Sequence, residues 1–447
     1  MRLRVRAAEE RKSLHEQAGH ARRPRLFANR DARLYLGGQV TSMVGDSSLW
    51  LAMGIWVKSL TGSSSAAALV WFAFILGGLT GPFSAVMVDR LPLRPLLIAT
   101  NVVGAADVLV LLFVHGKEQA WLAYPVMFGY GVSYALLNAG TSALTKSVFG
   151  NESLAGANAM LTTAKQGMNL VAPLLGAGLF AVVGATPVII ADAATFFVAA
   201  AALTLIRTRT ARAPADSAGA RPGAWAVLSA GMRHIMRTPP IRRVVLAVSV
   251  SILGLGFLEP AEFSLNSQGL HRAPAFMGLL FGFQGAGALF GGVFAAAAVR
   301  VFGEQRTAGA GLAAAGAGIA LMAVPLLPVV LLAFALYGAA LTWVVVAQQT
   351  QLQRLTPLEL QGRTAGAANL LTKLPQAAGI AIGSALIGLL GYLVLLGLIA
   401  LTTGFAALWL SLAWARSRSR AQSRALAHAQ ANATAPALGP ARVPSTN

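Results

Sequence analysis

The sequence predicts an all-α membrane protein with twelve transmembrane helices in two pseudo-symmetric halves of six helices each. Three observations lead to this prediction. The 447 residues are 56% hydrophobic and only 11% charged, with a mean hydropathy of +0.65, whereas soluble proteins carry roughly 25% charged residues. The apolar residues form runs of roughly 20, the length that spans a bilayer as a helix. Basic residues concentrate in alternate connections between these runs, as they do on the cytoplasmic side of membrane proteins.

The stretch GPFSAVMVDRLPLRPLLI at 81–98 shows the pattern on which the segments are assigned. One apolar run ends at Asp89 and Arg90, two prolines and Arg94 follow, and a second apolar run begins. This order is expected where one helix leaves the bilayer and the next enters it. A window of roughly 20 residues then predicts twelve segments, at 34–58, 65–88, 95–114, 120–145, 154–182, 185–206, 243–268, 276–299, 307–327, 328–350, 365–388 and 390–414.

The distribution of Lys and Arg predicts the orientation. Of the 35 basic residues, 30 lie in the tails and loops of one face, three lie on the opposite face, and Lys165 and Lys373 fall inside segments. Both termini and the long central loop are therefore predicted to be cytoplasmic. The predicted domains are a basic N-terminal tail at 1–33, a six-helix half at 34–206, a central loop at 207–242 with an amphipathic surface helix around Trp225, a six-helix half at 243–414, and a disordered C-terminal tail at 415–447.

The two predicted halves repeat one another at an offset of about 210 residues. At this offset Gly81 matches Gly291, Arg90 matches Arg300 and Gln166 matches Gln376. The loop AVRVFGEQR also stands after segment 8 where MVDRLPLRP stands after segment 2. Parallel six-helix halves related by an axis along the membrane normal are a known transporter arrangement.

The loop after segment 2 resembles the signature of the major facilitator superfamily. That signature places a small residue four positions before Asp-Arg, followed by a glycine and two basic residues. Here Ala85, Asp89 and Arg90 match, Pro92 replaces the glycine, and Arg94 alone remains of the basic pair. The resemblance implies the two-half fold and transport by alternating access.

Further stretches are similar to the macrolide-efflux and enterobactin-exporter branch of this superfamily. They are TSMVGDSSLWLA, LTGSSSAAALVWFA, NESLAGANAM, DAATFFVAA and RLTPLELQGRTAG. Two departures stand beside this similarity. The stretch 127–140 lacks the arginine common in helix 4 of drug–proton antiporters, and their glycine-proline signature in helix 5 survives only as Ala172, Pro173, Gly176 and Gly178.

Several classes of function are disfavoured by what the sequence lacks. There is no GxxxxGK[ST] phosphate-binding loop, cysteine is absent, and none of the six histidines lies deep in a segment. We therefore expect no enzyme activity, no metal and no cofactor. The net charge of +20 lies mostly in tails and short loops, which argues against nucleic acid as a partner. The expected partners are a small-molecule substrate, protons or another coupling ion, and membrane lipid, and we expect a monomer.

Charged residues inside the segments are the first candidates for a functional site, because burying a charge in a bilayer costs at least about 2.5 kcal/mol. The segments contain seven: Asp46, Asp107, Lys165, Asp192, Glu259, Glu262 and Lys373. The resemblance places helices 3, 6, 9 and 12 outside the cavity, so Asp107 and Asp192 are interpreted as structural. Asp46, Glu259, Glu262, Lys165 and Lys373 remain as transport or coupling residues. Asp46 is the preferred proton carrier, because a carboxyl in a low-dielectric site can bind a proton and release it on hydration; a helix cap or a permanent pair with Lys165 is the alternative.

Aromatic and amide side chains complete the predicted cavity. They are Gln39, Trp50, Tyr130, Tyr134, Asn138, Gln166, Asn169, Gln284, Trp343 and Gln348. Charged residues of the cytoplasmic loops are predicted to act in the conformational switch between the two access states. They are Asp89, Arg90, Arg94, Arg300, Glu359 and Arg363.

The sequence therefore predicts a secondary transporter that exports a small amphipathic molecule by proton antiport. The resemblance suggests a drug, a macrolide-like natural product or a siderophore. Five acids against two lysines inside the segments favour a cationic or neutral substrate over a polyanion. An importer or a lipid transporter of the same fold is the first alternative. A non-transporting membrane sensor or scaffold and an intramembrane enzyme remain as alternatives from other classes.

Overall fold

The computed structural model describes residues 30–206, 224–357 and 360–434, and these residues are helical with short connections. Long apolar runs with few charges favour helices in a bilayer, because a helix satisfies every backbone hydrogen bond within itself. In the described part of the chain, eight helices are long and apolar enough to cross a membrane. Many large apolar side chains point outward, including Phe83, Val182, Phe290 and Leu401, each at least two-thirds exposed. Such a surface suits lipid as the surrounding solvent.

The first half contains six helices, numbered here in chain order. They are α1 (Arg30–Thr61), α2 (Ser64–Gly78), α3 (Gly81–Arg90), α4 (Leu93–Leu109), α5 (Ala123–Val183) and α6 (Ala185–Leu205). The predicted second segment, 65–88, is thus divided between α2 and α3. Pro82 explains the break, because a proline ring clashes with the carbonyl four residues earlier, and α2 ends at that residue, Gly78.

Helix α5 must fold back on itself, although its 61 residues are assigned as one helix. A straight helix would separate Tyr130 from Gly176 by roughly 70 Å. Yet the Tyr130 hydroxyl is bonded to Asp46, and a Cβ on Gly176 would meet the backbone of Ser48, only two residues further along α1. The two arms of α5 therefore run in opposite directions along α1. They correspond to the predicted fourth and fifth segments.

The second half follows a short helix, α7 (Ala224–Arg237), which occupies the predicted amphipathic position. Trp225 on α7 is 81% exposed, whereas Ile235 is fully buried. The remaining helices are α8 (Pro239–Leu255), α9 (Leu258–Ser264), α10 (Met277–Phe302), α11 (Glu304–Met322), α12 (Leu327–Leu355) and α13 (Gln361–Thr434). The sequence predicts that Pro260 bends segment 7, and the helix is interrupted at Gly256 and Phe257, with Gly256 four residues before the proline.

Helix α13 contains a break and extends past the predicted last segment. Gly391 has φ 73° and ψ 166°, which divides α13 into two helices near the predicted boundary at 388–390. The second of these helices continues to Thr434, where disorder is predicted from 415 onward. Its alanine content explains the difference, because alanine has the highest helix propensity. Residues 435–447, like the N-terminal tail at 1–29, lie outside the described residues.

The buried side chains form clusters within and between the halves. One cluster around Val108, Met127 and Phe196 lies within the first half, and another around Val244, Leu312 and Leu410 lies within the second. A third joins the halves, packing Leu51 and Ile55 of α1 with residues of the second half such as Phe263. The halves therefore touch through a buried apolar contact, and a cavity remains within each half.

Candidate functional site

A polar cavity of about 100 Å³ lies within the first half, between α1, α4, α5 and α6. Five of the residues predicted for a functional site line it together, which are Gln39, Asp46, Tyr130, Tyr134 and Asn138. Ser42, Met43, Asn101, Leu137, Thr141, Phe196 and Ala199 complete the wall. Helices 3 and 6 of the sequence prediction, α4 and α6, thus contribute to this wall although they were expected to lie outside.

Asp46 is held by a tyrosine at the centre of this cavity. The Tyr130 hydroxyl donates a hydrogen bond of 2.6 Å to Asp46 Oδ1. The Tyr130 ring is only 2% exposed and makes an edge contact with Phe196, with ring centroids 5.7 Å apart and planes at 84°. A ring packed in this way can hold its hydroxyl in one place, so the orientation of the Asp46 carboxyl is fixed by the packing of its neighbour.

Asp192 lies beside this pair on α6, with 1% of its side chain exposed. Its carboxyl faces α1 at Gly45, where a Cβ would lie 2.5 Å from Asp192 Oδ1. It is an electrostatic neighbour of both Asp46 and Tyr130. Neither of its carboxyl oxygens accepts a hydrogen bond of normal geometry within the described part of the chain. The Tyr130 hydroxyl interacts with this carboxyl as a weak donor, so Asp192 is poorly satisfied for a buried polar group.

Asn101 adds another acceptor oxygen to the cavity wall. Its side chain is 2% exposed, and its amide nitrogen donates to the Leu97 carbonyl at 2.8 Å. The Asn101 Oδ1 has no hydrogen-bond partner among the described residues. Asn101 was not predicted from the sequence, because it is neutral and lies on a helix assigned to the periphery. Its position six residues before Asp107, in a largely apolar helix, was the available signal.

The opposite side of the cavity combines amide and aromatic groups. Thr141 lies 3.4 Å from Gln39 Oε1, and Asn138 Nδ2 donates to the Tyr134 carbonyl at 3.1 Å. Tyr134 packs against Phe74, with centroids 5.5 Å apart. This wall offers hydrogen bonds and ring faces to a small molecule, but no cationic side chain from the described residues lines it.

The second half contains its own acidic cluster, where the helix is interrupted before Pro260. Glu262 on α9 is 3% exposed and is an electrostatic neighbour of Glu259 and of Tyr337 on α12. Lys373 on α13 interacts with Glu259, and its ammonium donates to Gln376 Oε1 at 2.9 Å. The structure thus brings three predicted residues together, Glu259, Glu262 and Lys373. Tyr337 was not predicted.

A second cavity, of about 280 Å³, lies between α8, α12 and α13. Most of its lining is aliphatic, and its polar groups include the amides of Gln348, Gln349 and Asn369. Gln348 is the predicted cavity residue found here. No acid or base among the described residues lines this second cavity.

The other predicted cavity residues lie elsewhere. Trp50 packs on Trp71 with centroids 3.9 Å apart and meets Phe281 of the second half at 6.4 Å. Trp343 on α12 donates to the Gly291 carbonyl of α10 at 3.0 Å. Gln284 lies in that same α10–α12 contact, where a Cβ on Gly338 would meet its backbone. The side chains of Lys165, Gln166 and Asn169 lie outside the described residues.

The loop residues predicted for the conformational switch make different contacts. Arg94 donates from Nε to the Leu203 carbonyl at 2.7 Å and also bonds to the Thr204 carbonyl, so it caps the end of α6 within the first half. Arg90 and Arg300 are exposed. The backbone of Arg363 packs against Gly231 of α7. Glu359 lies outside the described residues, as does the side chain of Asp89.

A group of hydroxyls joins the two halves at one end of the molecule. Ser264 Oγ of α9 donates to Ser64 Oγ of α2 at 2.8 Å. Lys58 Nζ, on the same half as Ser64, donates to that oxygen at 2.7 Å. Ser65 Oγ donates to the Ser384 carbonyl at 2.5 Å. Together with the Trp50, Trp71 and Phe281 contacts, these bonds form what we term the seal.

Comparison with known proteins identifies the fold. Residues 35–379 match the sequence model of the Major Facilitator Superfamily. Among solved structures, the nucleoside transporter NupG shares 10% identity with a TM-score of 0.71, over 85% of this chain and 99% of that one. A bacterial homologue of the iron transporter ferroportin, in an inward-facing state, shares 16% identity with a TM-score of 0.64, over 86% and 98%. The human organic anion transporter MFSD10 (TETRAN) shares 18% identity with a TM-score of 0.59, over 86% and 100%. A search of curated proteins finds no match.

Proposed function

The chain belongs to the major facilitator superfamily, and from that premise we propose that it is a proton-coupled exporter of a small amphipathic molecule. Membership makes it a multi-pass membrane transporter of small molecules rather than an enzyme. The substrate, direction and coupling ion belong to the proposal. The macrolide-efflux and enterobactin-exporter branch remains the part of the superfamily that the sequence motifs favour.

The observation that carries the proposal is the set of polar residues around Asp46. This carboxyl lies within α1, lines a cavity and accepts a hydrogen bond from a buried tyrosine. An intramembrane acid in contact with a cavity is a natural proton carrier, because it can be neutral when enclosed and ionised when water reaches it. We assign proton binding to Asp46, and substrate contacts to the amides and rings of Gln39, Tyr134 and Asn138.

Twelve crossings in two six-helix halves are part of the proposal. Eight candidate spans are long and apolar enough by themselves. α1 and α11 have 32 and 19 residues and can also cross, and the reversal in α5 and the break at Gly391 each supply one more. Gly184 and Gly391 lie near the predicted boundaries between segments 5 and 6 and between segments 11 and 12. They share positive φ values of 78° and 73°, as expected of repeated halves.

The access state follows from the seal and the charge asymmetry together. If both termini lie in the cytoplasm, as the distribution of Lys and Arg favours, the seal at Ser64 and Ser264 faces the outside of the cell membrane. We therefore propose that this structure is the inward-facing state, with the cavity beside Asp46 accessible from the cytoplasm. During export, the substrate would bind from the cytoplasmic side, and the seal would then open to release it.

The acidic cluster and the cavity composition favour a cationic or neutral amphipathic substrate. Aromatic side chains supply apolar area and cation–π contacts, and Asp46 supplies the negative charge. Transport of a nucleoside, iron or an organic anion is stated for the structural relatives, whose identity to this chain is below 20%. Their substrates therefore do not select one here.

The test uses an efflux-deficient bacterial host and ethidium, a lipophilic cationic dye, as the probe. Cells that express the chain should accumulate several-fold less ethidium than control cells, and a protonophore should abolish the difference. Asp46→Asn should remove this gradient-driven efflux while the protein remains inserted and folded. Normal pH-dependent transport by Asp46→Asn in proteoliposomes would contradict the role of Asp46, and increased dye accumulation would favour an importer.

A further inference from the structure

We propose that Asp192 is the second half of the proton-binding site, so that Asp46 and Asp192 hold one proton as a pair linked by Tyr130. In assigning the pair to coupling, the inference rests on the proposed function. The geometry of the pair itself does not depend on it. The sequence predicts a structural role for Asp192 on a peripheral helix, and in the structure its carboxyl faces Gly45, the residue before Asp46 on α1.

Asp192 has only a weak donor. Its side chain is 1% exposed, neither oxygen accepts a hydrogen bond of normal geometry from the described residues, and the hydroxyl that interacts with it is that of Tyr130, which already donates to Asp46. The nearest hydroxyl on its own helix, Thr195 Oγ1, donates to the Asp192 backbone carbonyl at 2.8 Å and does not serve the carboxyl. An ionised carboxylate in these surroundings would cost several kcal/mol. A proton on the carboxyl removes that cost and supplies a donor.

Asn101 is a second poorly paired group, and it lines the cavity together with Asp46. Asn101 presents an unpartnered, buried Oδ1 to the same cavity, because its amide nitrogen is already bonded to the Leu97 carbonyl. An acceptor oxygen without a donor also costs free energy. Asp192 and Asn101 are thus both short of donors, and a proton held by the acid pair would supply one.

Asp192 pairs electrostatically with Asp46. Tyr130 donates to Asp46 and lies close to Asp192, and the two acids interact electrostatically. Two carboxyls that share a site cannot both ionise without strong repulsion. The pair is therefore most stable when it holds one proton. Tyr130 interacts with both acids, so its hydroxyl can donate to whichever of them is ionised. Loss of that proton leaves two negative charges, which favour entry of water or of a cationic substrate.

The other titratable groups around the pair are few among the described side chains. Tyr134 lines the cavity from α5. Asp107 on α4 faces Gly129, where a Cβ would lie 2.7 Å from its Oδ2, so it belongs to a separate contact. No described Lys, Arg or His lines the cavity.

The test is infrared difference spectroscopy of the purified full-length protein, between acid and alkaline buffers without sodium. It measures the carbonyl band of neutral carboxyl groups. Asp46→Asn and Asp192→Asn should each keep a neutral-carboxyl band, because the remaining buried acid can hold the proton alone, and only the double variant should lose that band. Such non-additivity is the signature of one shared proton. Asp107→Asn is the matched control, because an acid that titrates independently should lose its own band in the single variant.

Opposite outcomes would overturn the inference. An additive loss in the Asp46→Asn, Asp192→Asn double variant would show two independent acids. Complete loss of the band in Asp46→Asn alone, or its displacement by sodium in the wild type, would show that Asp192 does not hold the proton. If Asp192→Asn does not fold, Asp192→Ser provides the same comparison with a smaller side chain. The proposed function fails separately, when the wild-type protein with a normal infrared titration drives no dye efflux.

Discussion

Gly45 determines whether the buried acid on α6 can approach α1. A Cβ at this position would lie 2.5 Å from Asp192 Oδ1 and would also meet Thr195 Oγ1. Both contacts are closer than van der Waals packing allows. Neither contact could be relieved by a flexible chain end, since Asp192 and Thr195 have short side chains on a packed helix. The glycine therefore permits the acid pair to form.

We predict that Gly45→Ala destabilises the protein by roughly 1–3 kcal/mol, the usual cost of overpacking. Gly→Ala in a helix otherwise stabilises by about 1 kcal/mol, so the sign of the effect is informative. Gly37→Ala on the same helix is the matched control, because a Cβ there meets nothing within 4 Å. Thermal unfolding of both variants in detergent measures the difference. Equal stability would show that Asp192 does not need the space at Gly45.

The predictability of the site depends on the type of residue. Asp46 was selected because a charge inside a bilayer is costly, and it lies beside Tyr130 as part of one cavity. Asn101 carries no charge, and its unpaired oxygen becomes visible only when neighbouring helices are placed. Trp50, in contrast, was predicted to line the cavity but does not. An aromatic residue deep in a segment suits a ligand site and a helix contact equally, and here Trp50 packs on Trp71.

At the scale of helices, the sequence predicts the bend at Pro260 but not the break before Pro82, which falls inside the predicted segment 65–88. A proline removes the hydrogen bond to the carbonyl four residues earlier. Gly78 and Gly256 occupy those positions before Pro82 and Pro260, and both mark interruptions. The fold class follows similarly from hydrophobicity. Which face of each helix points to a cavity depends on packing, because apolar residues surround these helices on all sides and leave little periodicity to read.

Arg94 has a role at this scale that its loop position did not indicate. Its guanidinium bonds to the carbonyls of Leu203 and Thr204 at the end of α6, where helix carbonyls have no partners within the helix. We predict that Arg94→Ala destabilises the protein by about 1.5–3 kcal/mol, the range for hydrogen bonds to charged groups. Arg94→Lys should recover part of that loss, because an ammonium keeps the charge at the helix C-terminus.

Thermal unfolding of the two Arg94 variants in detergent tests this helix cap. Arg90→Ala is the matched control, since Arg90 is exposed and four residues away in the same loop. Unchanged stability in Arg94→Ala combined with slower transport would indicate that Arg94 acts in the conformational switch instead. The measurement therefore distinguishes a helix cap within the first half from a contact between the halves that changes during transport.

For the whole molecule, the question is whether the seal opens during transport. The seal joins the halves through the hydrogen bond between Ser64 and Ser264 and through ring contacts of Trp50. Alternating access requires such contacts to hold in one state and break in the other. One neutral hydrogen bond contributes only about 1 kcal/mol, so the serine bond is weak enough to be made and broken in every cycle.

A disulfide in place of that hydrogen bond tests the cycle directly. The two Oγ atoms are 2.8 Å apart, near enough for sulfurs to reach a bond length of about 2.05 Å with a small shift. The chain has no cysteine, so the double variant Ser64→Cys with Ser264→Cys contains a single possible pair. Under oxidising conditions it should lose ethidium efflux, because the halves can no longer separate at the seal, and reductant should restore it. Each single variant should transport under both conditions. Wild-type rates from a fully oxidised double variant would mean that the seal stays closed throughout transport, and the substrate path would then have to avoid it.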